Sequence, residues 1–109
     1  MVDEATYNAE VARLFKRLVK AADQADVDRL EADGTADMVT FTAAGGEKVI
    51  VNTQRAVWQI WVAGAGRGVH FSRADDGRWL DDKGEGLELL AWVSDCVQKA
   101  SGEQLALEP

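Results

Sequence analysis

The residues that could do chemistry in this chain fall in a few places. Asp23, Asp26, Asp28, Glu31 and Asp33 crowd into one short stretch. Carboxylates offer the oxygen ligands that hard cations prefer, although this spacing matches no cation-binding loop such as an EF-hand. Acids that leave a helix and line an edge strand have a second use, because they block edge-to-edge pairing. The two readings stand side by side on these residues alone. His70 is the only histidine and Cys96 the only cysteine. A catalytic histidine needs a nucleophile or a metal cluster beside it. Cys96 falls on the apolar stripe of a predicted helix, where cysteine is usually inert packing. Asp81-Asp82 occupies a turn, with no cleft implied around it. Gly64-Ala65-Gly66-Arg67-Gly68 is glycine-rich, but a phosphate cradle needs a helix start after the loop. Val69-His70-Phe71 reads instead as a strand, so the loop is a hairpin. With no catalytic constellation, the chain is not expected to be an enzyme.

A different kind of site lies in residues 48–63, which read as two strands joined by a short polar turn. Val49, Ile50 and Val51 form a β-branched run that suits a buried or half-buried strand. Residues 52–55, Asn-Thr-Gln-Arg, break the run and supply turn chemistry. Strand side chains alternate faces. In the second strand Trp58, Ile60 and Val62 then share one face, and Val57, Gln59, Trp61 and Ala63 the other. Ile60 and Val62 are the expected core pair. Trp61 is thereby placed beside Gln59 on a face that water reaches. A tryptophan there either packs beneath a neighbouring side chain or anchors a partner, as Trp does at interface hot spots.

The elements that must position these residues follow from periodicity and turn chemistry. Residues 3–22 predict a helix, with Tyr7, Val11, Leu14, Leu18 and Ala22 at helical spacing. Asp3 is the expected N-cap. Arg13, Lys16, Arg17 and Lys20 form a solvated outer face. A first strand follows, with Leu30 and Ala32 inward and Arg29, Glu31 and Asp33 outward. Residues 38–43 predict a second strand, and Ala44-Gly45-Gly46-Glu47 a hairpin turn. After the glycine-rich loop and its strand, Asp75-Asp76-Gly77 turns the chain into a short last strand at 78–80. Residues 87–100 predict a second helix, with Leu89, Leu90, Val93, Cys96, Val97 and Ala100 as its stripe. Gly102 sits where a helix C-terminal glycine belongs, and Leu105 and Leu107 are expected to dock on the body. Helix, about six closely spaced strands, helix is the order of an antiparallel meander covered on one side. The expected class is α+β: a two-layer sandwich forming a single domain over residues 1–109, with two helices on one sheet face and the other face open to water.

Composition bounds the partners. The chain has 109 residues, 12 Lys and Arg, 19 Asp and Glu, and a formal net charge of −7. Phosphate backbones need a basic footprint, so nucleic acid is not an expected partner. Cations and basic protein surfaces are. No acid falls between Glu47 and Asp75, whereas Lys48, Arg55, Arg67 and Arg73 do. The sheet centre should be neutral to basic and the acidic stretch a separate patch, which suits contact with more than one surface. A single cysteine forms no intrachain disulfide and fits a reducing compartment. The N-terminus lacks the basic and apolar regions of a signal peptide. No apolar run approaches the ~20 residues that span a bilayer. The expectation is a soluble cytoplasmic protein with no membrane partner.

Asn52-Thr53-Gln54, then Gln59-Ile60-Trp61-Val62-Ala63, resembles the signature of the frataxin family: Asn-x-Gln, a Pro-containing turn, then Gln-(Ile/Val)-Trp-(Leu/Val). Ala56 stands where the family usually has Pro. The order around the signature is similar too. It runs from an acidic helix exit and first strand, through a Gly loop before His70-Phe71 and an Asp-Gly-x-Trp turn with Gly77 and Trp79, to a final helix with Leu89-Leu90. The resemblance covers nearly the whole chain. It implies the frataxin fold and an iron-binding accessory protein of iron–sulfur cluster assembly, acting as a monomer that contacts cysteine desulfurase and the scaffold protein. Carried over by position, the metal ridge is Asp23, Asp26, Asp28, Glu31 and Asp33, and the partner face is Asn52, Gln54, Gln59 and Trp61. Lys20, Ala22, Ala25 and Arg29 stand in or near places where acids are common in the family, so the implied Fe2+ or Fe3+ binding is weak. His70 is available as an extra ligand. The alternative reading keeps the Trp61 face and drops the metal, leaving a protein-interaction module.

Overall fold

The computed structural model describes residues 3–25, 28–105 and 107. Helix α1 spans Glu4–Asp23, and Asp3 caps it by accepting the Thr6 N–H at 2.8 Å. That bond satisfies one of the free donors every helix N-terminus leaves. The predicted stripe is buried: Tyr7, Val11, Leu14, Phe15, Leu18, Ala21 and Ala22. Helix α2 spans Leu89–Ser101 and buries Leu89, Leu90, Val93, Cys96 and Val97. It begins two residues later than its periodicity suggests. Leu87 is held in the loop, where its N–H donates to Asp81 Oδ1 at 2.8 Å and its carbonyl accepts the Asp81 N–H. Glu88 then becomes the cap, accepting from the N–H groups of Leu90 and Ala91. Gly102 closes the helix at φ 77°, donating to the Gln98 carbonyl, in the left-handed conformation that glycine adopts without strain. Leu105 and Leu107 are buried in the same core.

Between the helices lie β1 (Leu30–Gly34), β2 (Met38–Ala43), β3 (Lys48–Gln54), β4 (Gln59–Gly64), β5 (Arg67–Arg73) and β6 (Trp79–Asp81). They form one six-stranded antiparallel sheet in sequence order. Val39 and Phe41, Val49 and Val51, Ile60 and Val62, and Val69 and Phe71 all bury on one face, against α1 and α2. The glycine-rich stretch is a hairpin, as expected. Ala65 at φ 52° and Gly66 at φ 74° make its two-residue turn, the positive-φ pair that matches strand twist.

The segment after Val51 departs from expectation. Asn52, Thr53 and Gln54 are strand residues, paired with Trp61, Ile60 and Gln59. The chain reverses later, through a 3-10 turn at Arg55–Val57 and through Trp58, which takes a left-handed φ of 55°. Trp58 therefore does not share a strand face with Ile60 and Val62. Its indole meets Tyr7 edge-on, with ring centroids 5.2 Å apart. Val57 likewise lies in the turn and is exposed. Contacts from far along the chain set this geometry. The Arg55 guanidinium pairs with Asp37 at 2.8 Å and donates to Asn8 Oδ1, and it holds the Asp37 carboxyl below the usual carboxylate range.

Candidate functional site

Alternation in β3 sets Ile50, Asn52 and Gln54 against the core residues Val49 and Val51. In β4 it sets Gln59, Trp61 and Ala63 against Ile60 and Val62. Pairing then aligns the open-face residues. Asn52 sits directly opposite Trp61 and Gln54 opposite Gln59. On the next strand Trp61 faces His70 and Gln59 faces Ser72, while Met38 faces Asn52 from β2. One row thus runs Met38, Asn52, Trp61, His70 across four strands. Opposed side chains in such a row have Cβ atoms ~4.5–5.5 Å apart, so the expected partner-face residues form one contiguous patch. Sequence reasoning missed Met38 and Ser72 as members and did not place His70 beside Trp61. Alternation puts each on a face, but only the pairing register makes them neighbours.

Trp61 is half-buried, packed in part against its neighbours. The indole lies over Gly68, where an added Cβ would come within 2.6 Å of Trp61 Nε1. It also tilts against the His70 ring, with centroids 6.4 Å apart. Part of its surface is left to water. Gln59 is held from both layers. Its Nε2 donates to Ser72 Oγ at 2.9 Å, and its carbonyl accepts the Tyr7 hydroxyl at 2.7 Å. Gly68→Ala is expected to lift the Trp61 ring off the sheet, shifting the Trp61 indole N–H resonance and costing about 1–2 kcal/mol of stability. Unchanged resonances and an unchanged urea midpoint would show that the ring is not seated there.

The acidic stretch lies at the sheet edge. Asp23 ends α1, Asp28 stands in the turn before β1, and Glu31 and Asp33 are on β1, while Asp26 lies outside the described residues. Glu31 pairs with Thr42 and Asp33 with Thr40, which turns both acids toward the open face that carries Trp61. Three strand spacings, about 14 Å, separate β1 from β4. Asp23, Glu31 and Asp33 also line one shallow depression with Ala22, Ala25, Leu30 and Ala32. Among the described residues, no three His, Cys, Asp or Glu side chains gather into a group able to hold a metal ion. Asp23, Asp28, Glu31 and Asp33 are exposed, so an ion held there keeps much of its water. Such a donor set fits a hard ion bound loosely and does not fit a closed shell. Arg29 is paired with Glu103 at 3.6 Å. Glu103 enters the ridge from beyond α2, and no local signal in its surroundings announces this.

The two reactive-type side chains lie on opposite sides of the sheet. Cys96 is buried on α2 against Gly64, where an added Cβ would come within 2.9 Å of its Sγ. Burial, with a smaller contribution from Asp95, pushes its thiol up to about 11. His70 lies in the open-face row, and its buried Nδ1 has no hydrogen-bond partner among the described residues. No Cys–His pair can form across the sheet.

The family model for the frataxin-like domain matches residues 1–103. This chain belongs to the frataxin-like family. Among its frataxin relatives, the iron-sulfur cluster assembly protein CyaY of Tolumonas auensis is 36% identical over 104 residues, covering 95% of this chain and 97% of that protein. The protein of the same name from Ralstonia pickettii is 35% identical over 99 residues, covering 91% and 85%. The solved frataxin of Psychromonas ingrahamii superimposes with a TM-score of 0.83 over 95% of this chain and 96% of that one, at 22% identity. That likeness bears out the two helices on one face of a six-stranded sheet. The family match bears out the resemblance carried by Asn52, Gln54 and Gln59-Ile60-Trp61.

Proposed function

We propose that this chain is an accessory protein of iron–sulfur cluster assembly that carries iron loosely and docks on the assembly machinery. One observation carries the reading: Glu31 and Asp33 share the open sheet face with Asn52, Gln54, Gln59 and Trp61. A cation-loaded edge and an uncharged aromatic patch thus form one continuous surface. The names of the relatives from Tolumonas auensis and Ralstonia pickettii support the pathway. In this reading the ridge of Asp23, Asp26, Asp28, Glu31 and Asp33 holds Fe2+ or Fe3+ as cargo. The same ridge meets the basic surface of a cysteine desulfurase, and the Asn52, Gln54, Gln59 and Trp61 patch meets the scaffold protein. The chain works in the cytoplasm as a monomer and as a docking protein, not as an enzyme. No described helix is long and apolar enough to cross a membrane.

Iron affinity is expected to be weak, since open oxygen sites with few rigid ligands bind calcium at roughly 10⁻⁴–10⁻³ M. Converting Asp23, Asp26, Asp28 and Glu31 to their amides should remove the iron-dependent NMR broadening and leave the fold intact. Broadening unchanged in that variant would take the ridge out of consideration. A wild-type chain that shows no response to iron, yet binds the desulfurase, would establish the pure interaction module instead. The thinning of the ridge, with Lys20 and Arg29 beside its acids, and the Trp61 face favour that second reading.

Arg29→Asp is expected to strengthen iron binding. Arg29 ends the turn before β1 and Glu31 is the second residue of the strand, so they lie within about 6–7 Å of each other along the chain. At that distance in water a unit charge is worth roughly 0.6–0.7 kcal/mol per unit charge on the ion. Reversing the sign doubles the effect, and a divalent ion doubles it again. Salt screening and the existing pair with Glu103 reduce the gain to about 1–1.5 kcal/mol, roughly five- to tenfold, at 0.1 M salt. Calorimetric titrations at two ionic strengths check this. An affinity independent of the substitution would place the ion away from Arg29.

A further inference from the structure

A groove of about 760 Å³ runs along α1 on the side facing the β1–β2 turn. Val11, Phe15 and Val19 supply its apolar floor, and Gly34 and Ala36 its far wall. Wall and floor meet closely at Gly34, where an added Cβ would come within 2.9 Å of Val19. Its rim carries Lys16 and Lys20, one helical turn apart and exposed. Neither lysine has an ion-pair partner among the described residues. At one end Arg55 is occupied by Asp37 and Asn8, and at the other Asp23 is the only acid in the lining.

Two unpaired ammonium groups beside an apolar floor run against the balance of a chain with net charge −7. The volume lies within the roughly 300–1,000 Å³ of small-ligand sites. Lysine stems extend the apolar wall while their heads stay in water. Val11 to Val19 covers about 12 Å of helix, so an apolar chain can lie along the floor while its end stays near the lysines. From this charge complementarity we propose that the groove binds a small amphiphilic anion. Its apolar chain lies on Val11, Phe15 and Val19, and its carboxylate or phosphate head lies between Lys16 and Lys20. Asp23 disfavours a head placed farther along. This site is separate in chemistry from the acidic ridge, which selects cations.

The test is an NMR titration with three probes below their micelle concentrations: sodium decanoate, decyltrimethylammonium bromide and sodium acetate. Decanoate should give saturable shifts confined to the amides of Ala12, Lys16, Val19 and Ala36. Acetate should give none, and the cationic amphiphile should bind at least about fivefold more weakly. The Lys16→Gln, Lys20→Gln double variant should weaken decanoate about three- to tenfold at low salt, the range two exposed ion pairs supply. Ala12→Trp, which fills the groove without touching a charge, should abolish the shifts. Equal binding of both amphiphiles, shifts centred elsewhere, or a double variant that binds decanoate as the wild type does would each overturn the proposal.

Discussion

Tyr7→Ala is expected to lower the unfolding free energy by about 3–5 kcal/mol, the cost of truncating a buried aromatic. Tyr7 is fully buried and meets three separate parts of the fold. Its ring packs edge-on against Trp58 of the turn at 5.2 Å and Trp79 of β6 at 6.1 Å. The Arg55 guanidinium lies 5.7 Å from its centroid. Its hydroxyl donates to the carbonyl of Gln59, the first residue of β4. Removing the ring opens a cavity where helix, turn and sheet meet. Domains of this kind hold only ~5–15 kcal/mol in total, so the variant should be close to unfolding near body temperature. Tyr7→Phe keeps the volume and loses the hydrogen bond, and should cost only about 1 kcal/mol. Urea melts of both variants separate the two contributions. A loss under ~1 kcal/mol for Tyr7→Ala would mean that these contacts do not act on the folded state.

Trp61→Ala is expected to weaken binding to the desulfurase or the scaffold by at least about thirtyfold, a hot-spot loss of ~2 kcal/mol or more. The ring stands near the centre of the open face, flanked by Asn52 on one strand and His70 on the other. It is half-buried against Gly68, so it is preorganised, and binding does not have to order it. The same seating means that truncation also costs some stability, about 1–2 kcal/mol, well below the price of a core tryptophan. Denaturant melts and calorimetric binding must be measured on one preparation. Binding retained alongside a large stability loss would show that Trp61 serves the sheet and not a partner.

Much of this architecture is written locally. The stripe of Tyr7, Val11, Leu14 and Leu18, the Asp3 cap, the Gly102 terminus and the alternation of Val39 and Phe41 were all legible. Each depends on a few consecutive residues whose backbone preferences and spacing point one way. The same alternation sent Gln59 and Trp61 to the open face, and the Asn-x-Gln and Gln-Ile-Trp signature carried the family. Where local preference is weak, it failed. Asn52, Thr53 and Gln54 suit a turn, yet cross-strand bonds to Trp61, Ile60 and Gln59 keep them in β3. The reversal falls instead at Trp58, where the Arg55 contacts to Asp37 and Asn8, 18 and 47 residues away, hold it. Residues brought together from distant segments were not legible at all. That Trp61 rests on Gly68 beside His70, and that Glu103 meets Arg29, depend on register and helix placement. Register is decided by which pairing buries the most apolar surface across all six strands at once, and no short stretch of chain contains that sum.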